Sequence, residues 1–456
     1  MKGTLKFAAK ASVLLALVSV GLISCGGSDD GVEQGATTIT FYANSFETWS
    51  NEHLQDLVKE FNKDKTDGIQ LNLKIFSDAY DDALTSAREN GAAPDIFMIS
   101  YNNLYNNAIK PGYAAPLDDL MGADNIADIL DNVKSTISYK NQVYAWPLML
   151  EPSSMFYYRK SYFEKAGITE APTTWAQLWE DCAKLKPTLN KGQYCLGIQT
   201  GAALAWATWG MQQNTCDHLA VNDKWDKCLV NEQGYRDLDG FFYDGYANGY
   251  VPTGDISGSG YNALIAPLCE DKLAMTFTGS WGIGTIKNDY PDLVNDVGCA
   301  MIPTLSGDAG KCSATNGGWN VCISKSSAHQ DLAAKVVKAL YADTATASKY
   351  FDLAGYCKAA PTKSLQTYLA QHSDTTYKDY LSAVSAVSKN AIFEPHYSWD
   401  ISVAVETMFE TMGIKADGSK DAAYKSATIE SAMSTCLDSI NKIMTSSTYV
   451  TNPDYR

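Results

Sequence analysis

After residue 24 the chain has no apolar run long enough to cross a bilayer, which takes about 20 residues. That excludes a spanning helix from the body of the protein. Basic residues are scarce: 36 Lys and Arg stand against 52 Asp and Glu, for a formal net charge of −16. So acidic a surface repels phosphate backbones and anionic lipid, and nucleic acid is not an expected partner. The five histidines (His53, His218, His329, His372, His396) are scattered, and no Cys-x-x-Cys or Cys-His spacing suits zinc. Neither a G-x-S-x-G nor an H-E-x-x-H is present, nor a phosphate-binding or dinucleotide-binding glycine loop. No metal, cofactor or catalytic residue is therefore expected. Cysteine is missing between residues 26 and 181, and ten of the 11 cysteines fall from Cys182 to Cys436.

What is there begins at the N-terminus. Lys2, Lys6 and Lys10 precede an apolar stretch, Ala11 to Ile23, too short to span a membrane and ending at Ser24-Cys25-Gly26-Gly27. This is the layout of a secretory signal. Leu22-Ile23-Ser24-Cys25 resembles a bacterial lipobox, with Ser24 where Ala or Gly is usual. Residues 1–24 are thus read as a lipoprotein signal peptide, and 25–36 as the lipidated Cys25 and a flexible polar tether. Acyl chains on Cys25 anchor stably only in combination, and they place the protein outside the cytoplasm on a bacterial membrane. In an exported chain an even set of ten further cysteines suggests disulfides. Cys182/Cys195, Cys216/Cys228 and Cys299/Cys312 have spacings suited to loop staples, though sequence leaves the pairing open.

The 456 residues call for two or three cores. Ile39 to Ala43 alternates as a strand. Leu54, Leu57, Val58 and Phe61 then mark one face of a helix, and Ile69, Leu71, Leu73 and Ile75 alternate again. A helical stretch near Asp81 to Asn90 leads to the apolar run Ile96 to Ile99. Strand and helix in alternation predict a mainly parallel sheet flanked by helices, an α/β fold. Helices are also predicted over Trp175 to Leu185, along Leu332, Val336, Val337 and Leu340, and across most of Ile401 to Met444.

Several segments, in order, resemble the solute-binding proteins of ABC importers, in the sugar-binding group that includes maltose-binding protein. They are Ala93-Pro94-Asp95-Ile96-Phe97, Gly112 to Asp118, Tyr139 to Pro147, Phe156 to Gly167, Pro172 to Trp175, Lys272 to Trp281 and Gly317 to Asn320. Asn141 and Asp271 stand where the family's pattern has glycine, and both residue types tolerate positive φ. The resemblance implies a two-lobe periplasmic-binding-protein fold with a hinge and a central ligand cleft. It places lobe one at 37–149 and 303–357 and lobe two at 151–300 and 360–456, with crossings near Leu148–Pro152, Ala300–Thr304 and Gly355–Pro361. It also implies a monomer that closes on a small carbohydrate and docks on ABC transporter permease subunits.

A sugar offers apolar C–H faces and a ring of hydroxyls, so its site needs flat aromatics beside carboxylates and amides. Trp281, Trp319 and Trp399 are the stacking candidates, with core packing as the alternative for each. Asn44, Ser45 and Glu47 follow the first strand, and Asn102 and Asn103 follow the third, at carboxyl ends where α/β sheets gather ligands. Turn chemistry, and for Glu47 the favourable dipole at a helix start, would explain the same residues without a ligand. Glu151, at the first crossing, matches a family position that binds hydroxyls. Gln199 and Trp206 are weaker candidates; Trp146, Trp175, Trp179 and Trp225 read as core or surface. This set has no Lys or Arg, which suits a neutral sugar or polyol. Its carboxylates and aromatics also suit a polyamine. Glu47 and Glu151 as a glycosidase pair, or a surface adhesin on the same fold, are the more distant readings.

Overall fold

The computed structural model describes residues 36–64, 66–77, 79–201, 203–253, 264–372, 375–416 and 419–452. The signal segment, Cys25 and residues 25–35 lie outside the described residues.

Alternation builds the first sheet. β1 (Thr37–Asn44) and β2 (Ile69–Phe76) pair in parallel from Thr37↔Ile69 to Asn44↔Phe76, with Ile39, Phe41 and Ala43 wholly buried on one face. β3 (Ile96–Ser100), apolar at its first four positions, is buried on both faces beside β1. β4 (Trp146–Pro152) closes this part of the chain. The second sheet is β5 (Met155–Arg159), β6 (Tyr194–Gly197), β7 (Leu273–Thr278) and β8 (Val297–Ala300), in spatial order β8-β5-β7-β6. The chain then returns to the first sheet as β9 (Thr315–Ile323) and β10 (Ile392–Phe393). The first sheet runs β10-β9-β3-β1-β2, with β4 also paired to β9.

Twelve described helices have eight residues or more. α1 (Thr48–Asp64) and α2 (Tyr80–Glu89) connect the first three strands. α3 (Trp175–Leu185) starts in a capping box between Thr174 and Gln177, as Pro172-Thr173-Thr174 predicts. α4 (Ala203–Cys216) is apolar on most sides and correspondingly buried, and α5 (Gln233–Ala247) packs beside it. α6 (Gly282–Asp289) follows β7. α7 (Gln330–Val337), α8 (Thr344–Leu353), α9 (Lys363–His372), α10 (Lys378–Asn390), α11 (Trp399–Ala416) and α12 (Ala422–Met444) complete the chain. One core surrounds Phe41, Ile96 and Val321 on the first sheet; another joins Phe156, Leu178, Phe241 and Phe409 beside the second.

Two features differ from the sequence reading. Residues 360–456 do not all belong to the second half. α9 packs Leu365 and Leu369 against Phe351 of α8 and Met149 of β4, and β10 pairs Thr315↔Ile392 and Asn316↔Phe393. A two-residue strand is too short to leave a periodic trace. The expected disulfides are also not formed, since all ten described cysteines are free thiols. Seven are buried, Cys182, Cys322, Cys357 and Cys436 among them, where a thiol packs as a small apolar group. Cys195 donates its thiol hydrogen to the Cys182 carbonyl at 3.4 Å.

Candidate functional site

β4 and β9, both strands of the first sheet, form the floor of the candidate site and run antiparallel so that Gly317 lies opposite Glu151. The two glycines of β9 allow close approach. At Gly318, with φ +118°, a Cβ would stand 2.2 Å from the Met149 carbonyl oxygen; at Gly317 it would stand 2.2 Å from Glu394 Oε1. The missing side chain at 317 is what admits the Glu394 carboxyl to the floor.

Beside it the segment 355–361 is pinned to β4 by reciprocal Leu150–Ala359 backbone bonds of 2.9 Å each. This brings Lys358 to Glu151, and its Nζ donates to Glu151 Oε1. The side chains are only 3% and 13% exposed. Burial by itself would lower the Lys358 pKa, but Glu151 and Glu47 outweigh it and hold the ammonium above the ordinary lysine range. The sequence-derived set lacks a cation; the structure supplies one.

On the first-sheet side, Phe46 and Trp319 meet edge to face at 5.0 Å, with Tyr80 at 6.5 Å from the same indole. Trp319 is half-buried and packs within its own half. Asn44 donates to the Ser45 carbonyl at 2.9 Å, and Asn51 donates to Ser45 Oγ at 2.8 Å. The Glu47 carbonyl accepts from the amides of Ser50 and Asn51. These residues make the turn into α1, and the Glu47 carboxylate acts at a distance on Lys358 and Tyr350. Ser100 donates to Asn102 Oδ1 at 2.6 Å, and the Asn102 carbonyl meets His396 Nδ1 at 3.2 Å. Asn103 is half-buried beside it.

The opposite wall is aromatic. Trp399 lies 5.2 Å from Trp206 and 5.9 Å from Trp209, ring centre to ring centre, and is 36% exposed. The Trp206 indole N–H donates to Glu394, which favours its ionised form. Burial, then repulsion from Glu151, outweighs that bond and pushes the Glu394 carboxyl up to about 8. Glu394 also borders a cavity of about 430 Å³ lined from the first half by Tyr105 and Ser135 and from the second by Asp217 and Asn222.

Trp281 is only 8% exposed. Its ring lies over Gly279, where a Cβ would fall 2.1 Å from a ring carbon. The Ser280 amide donates to the Pro152 carbonyl at 2.8 Å, so this indole is tied to the end of β4. Gln199 is buried and donates to Thr278 Oγ1 at 3.0 Å. The structure therefore gathers Glu47, Glu151, Lys358 and Glu394 at the floor and Trp206 with Trp399 at one wall, while Trp319 packs mainly on its own half and Trp281 lies over Gly279.

Sequence reasoning misses Lys358, Glu394, Trp209 and Trp49. Trp49, on α1, approaches α6 so closely that a Cβ on Gly284 would lie 3.3 Å from its Cζ2. Glu394 precedes Pro395 in a segment notable in sequence only for its tryptophan, and the burial that distinguishes the carboxyl is not a sequence property.

Residues 48–347 match the family model described as bacterial extracellular solute-binding protein. A binding protein of Brucella abortus is 27% identical over 184 residues, 40% of this chain; the match spans 43% of that relative, less than half. The multiple sugar-binding protein of Streptococcus mutans is 24% identical over 405 residues, 85% of this chain and 87% of its own. Among solved structures, an ABC transporter solute-binding protein from Thermotoga lettingae, bound with α-D-tagatose, aligns with TM-score 0.70 at 19% identity over 90% of this chain and 100% of that one. An ABC substrate-binding protein from Listeria monocytogenes, in complex with cycloalternan, gives 0.69 at 20% identity over 90% and 99%. The fold here is the two-lobe α/β fold of those proteins.

Proposed function

This chain belongs to the bacterial extracellular solute-binding proteins, and from that membership we propose that it captures a neutral sugar or oligosaccharide by hinge closure and delivers it to the permease of an ABC importer. It acts as a monomer, held to the outer side of a membrane by acyl chains on Cys25. The observation that carries the choice of ligand is the charge balance of the floor. Glu151 is already engaged by Lys358, and burial pushes the Glu394 carboxyl up to about 8, so of the floor's three carboxyls Glu47 alone remains to meet a polyamine. What remains suits hydroxyls: a buried ion pair, a carboxyl able to accept or donate, and the exposed face of Trp399 for a pyranose ring.

The same pair argues against hydrolysis. A glycosidase needs one carboxyl as acid and another as base or nucleophile, both free to reach the sugar. Glu151 is committed to a buried ammonium and is not free for either part. The family and the fold are those of binding proteins, and the chain is proposed to leave its ligand unchanged.

The test is a screen of the full-length protein, purified in detergent, for melting temperature and tryptophan fluorescence. Mono- and oligosaccharides, polyols and spermidine are each added in turn. A rise in melting temperature and a fluorescence change with a neutral sugar are expected. A response to spermidine and to no sugar overturns the reading, and release of reducing ends from an oligosaccharide overturns the absence of catalysis.

A further inference from the structure

We propose that Glu394 is a positioning residue that couples closure of the two halves to uptake of one proton. The inference rests on the reading of the floor as the ligand site but is tested without a ligand.

Three features of the geometry converge on it. The Glu394 backbone belongs to the first half, because its amide donates to the Asn316 carbonyl at 3.2 Å, directly after β10. Its carboxyl fills the space left by the bare Cα of Gly317, whose strand partner is Glu151. The donor to that carboxyl, Trp206, belongs to α4 of the second half and stands against Trp399. One carboxyl thus joins the floor to the aromatic wall across the boundary between the halves.

Its surroundings supply no counter-charge. Lys358, the cation beside Glu151, is bonded to Glu151, and among the described residues no ion pair is formed by Glu394. The group facing it from the floor is Glu151, with His396 and Tyr397 on its own segment. Across the cavity it borders stand Tyr105, Asp217, His218 and Asp223. His218 is paired with Glu232 and Asp217 with Lys311, so neither pair brings a net positive charge to the cavity. The dry, assembled arrangement therefore favours the protonated carboxyl.

The sign follows from the raised pKa. With the halves apart, water reaches the carboxyl, which titrates in the ordinary carboxylate range; with the halves together it titrates near 8. Closure at neutral pH therefore takes up a proton onto Glu394. The tendency to close is greatest below the ordinary carboxylate range. It falls as pH rises towards 8, by at most about tenfold per pH unit, and levels off above that.

The experiment uses the full-length protein in detergent with no ligand added. Tryptophan fluorescence and small-angle X-ray scattering are followed from pH 5 to 9. In the wild type the fluorescence is expected to change, and the particle dimension to grow, as pH rises, with both levelling off above about 8. Both changes should vanish in Glu394→Gln, which keeps the shape but cannot ionise. Persistence of either change in that variant, or a wild-type dimension independent of pH, overturns the proposal. If Glu394→Gln does not fold, Trp206→Phe replaces it. Loss of the indole donor removes a contact that favours the ionised form, so the pH at which the dimension levels off must move upward, and an unmoved value is equally fatal. Failure of every sugar in the screen leaves these readouts intact, so the two readings fall separately.

Discussion

Lys358 and Glu151 come from chain segments more than 200 positions apart and form an ion pair in which the lysine side chain is 3% exposed. The pair joins the end of β4 to the segment that follows α8. Removing one partner strands the other in a dry site, which generally costs more than the pair itself contributes.

Lys358→Met is therefore expected to destabilise the protein by about 3–5 kcal/mol, measured by urea unfolding. Adding Glu151→Gln should restore more than half of that loss. An unchanged unfolding midpoint in the single variant would refute the assignment. The raised Lys358 pKa gives stability that is complete below the ordinary lysine value and is lost only as pH climbs through the higher folded value. No loss from this group is expected below about pH 10.

Two of the three tryptophan candidates should separate by what their removal harms. Trp399 is 36% exposed, so Trp399→Ala should weaken sugar binding by about 1–3 kcal/mol with a small change in melting temperature. Trp281 is 8% exposed and lies over Gly279, so Trp281→Ala should cost about 3 kcal/mol of stability as well. Calorimetric titration and denaturant unfolding of both variants decide the matter.

Gly318→Ala tests the crowding at the floor. Its φ of +118° is strained for any side chain, and the added carbon would stand 2.2 Å from a backbone oxygen that cannot swing aside. A loss of roughly 2 kcal/mol or more is expected. A melting temperature equal to that of the wild type would contradict the described strand pairing.

Glu406, on α11, is buried, and its Oε1 has no hydrogen-bond partner. Burial, then Glu410, pushes its carboxyl up to about 7. A raised folded value means that stability is complete below the unfolded carboxylate range and is lost as pH rises to about 7. Glu406→Gln should flatten that decline and leave the variant more stable than the wild type at pH 8. A melting-temperature series across pH, showing parallel curves for the two proteins, would count against it.

The free thiols make a chemical prediction. Unfolding the protein in guanidinium without reductant should expose ten reactive thiols between Cys182 and Cys436, with far fewer reacting in the native state. A titre of eight or less would show that cross-links form after all.

The elements most legible in the sequence are those with a local signature. Leu54, Leu57, Val58 and Phe61 announce α1, and all four are buried in it. Asn141 and Asp271, standing where glycine is expected, do adopt positive φ, at 63° and 62°. The turn residues Asn44, Ser45 and Asn102 lie at strand ends as expected, although much of their hydrogen bonding is local. What escapes is non-local. Nothing in Lys358-Ala359-Ala360-Pro361 marks the lysine as the partner of a glutamate in another segment. Glu394 looks like a solvated residue before a proline until the bare Gly317 is placed under it. The cysteines mislead because an even count carries no distances; the interior of the fold accommodates most of them as apolar groups.

The chain passes between the sheets at 153–154 and at 301–314. Two bodies tethered by a single thread could swivel in any direction. In the proposed closing motion, side-by-side tethers, with Ser153 on one bonded at 2.6 Å to Thr315 just beyond the other, leave one axis of swing and resist sliding or twisting. Closure of that kind brings the jaws together in one register, and whichever rim they present when shut is then the same every time.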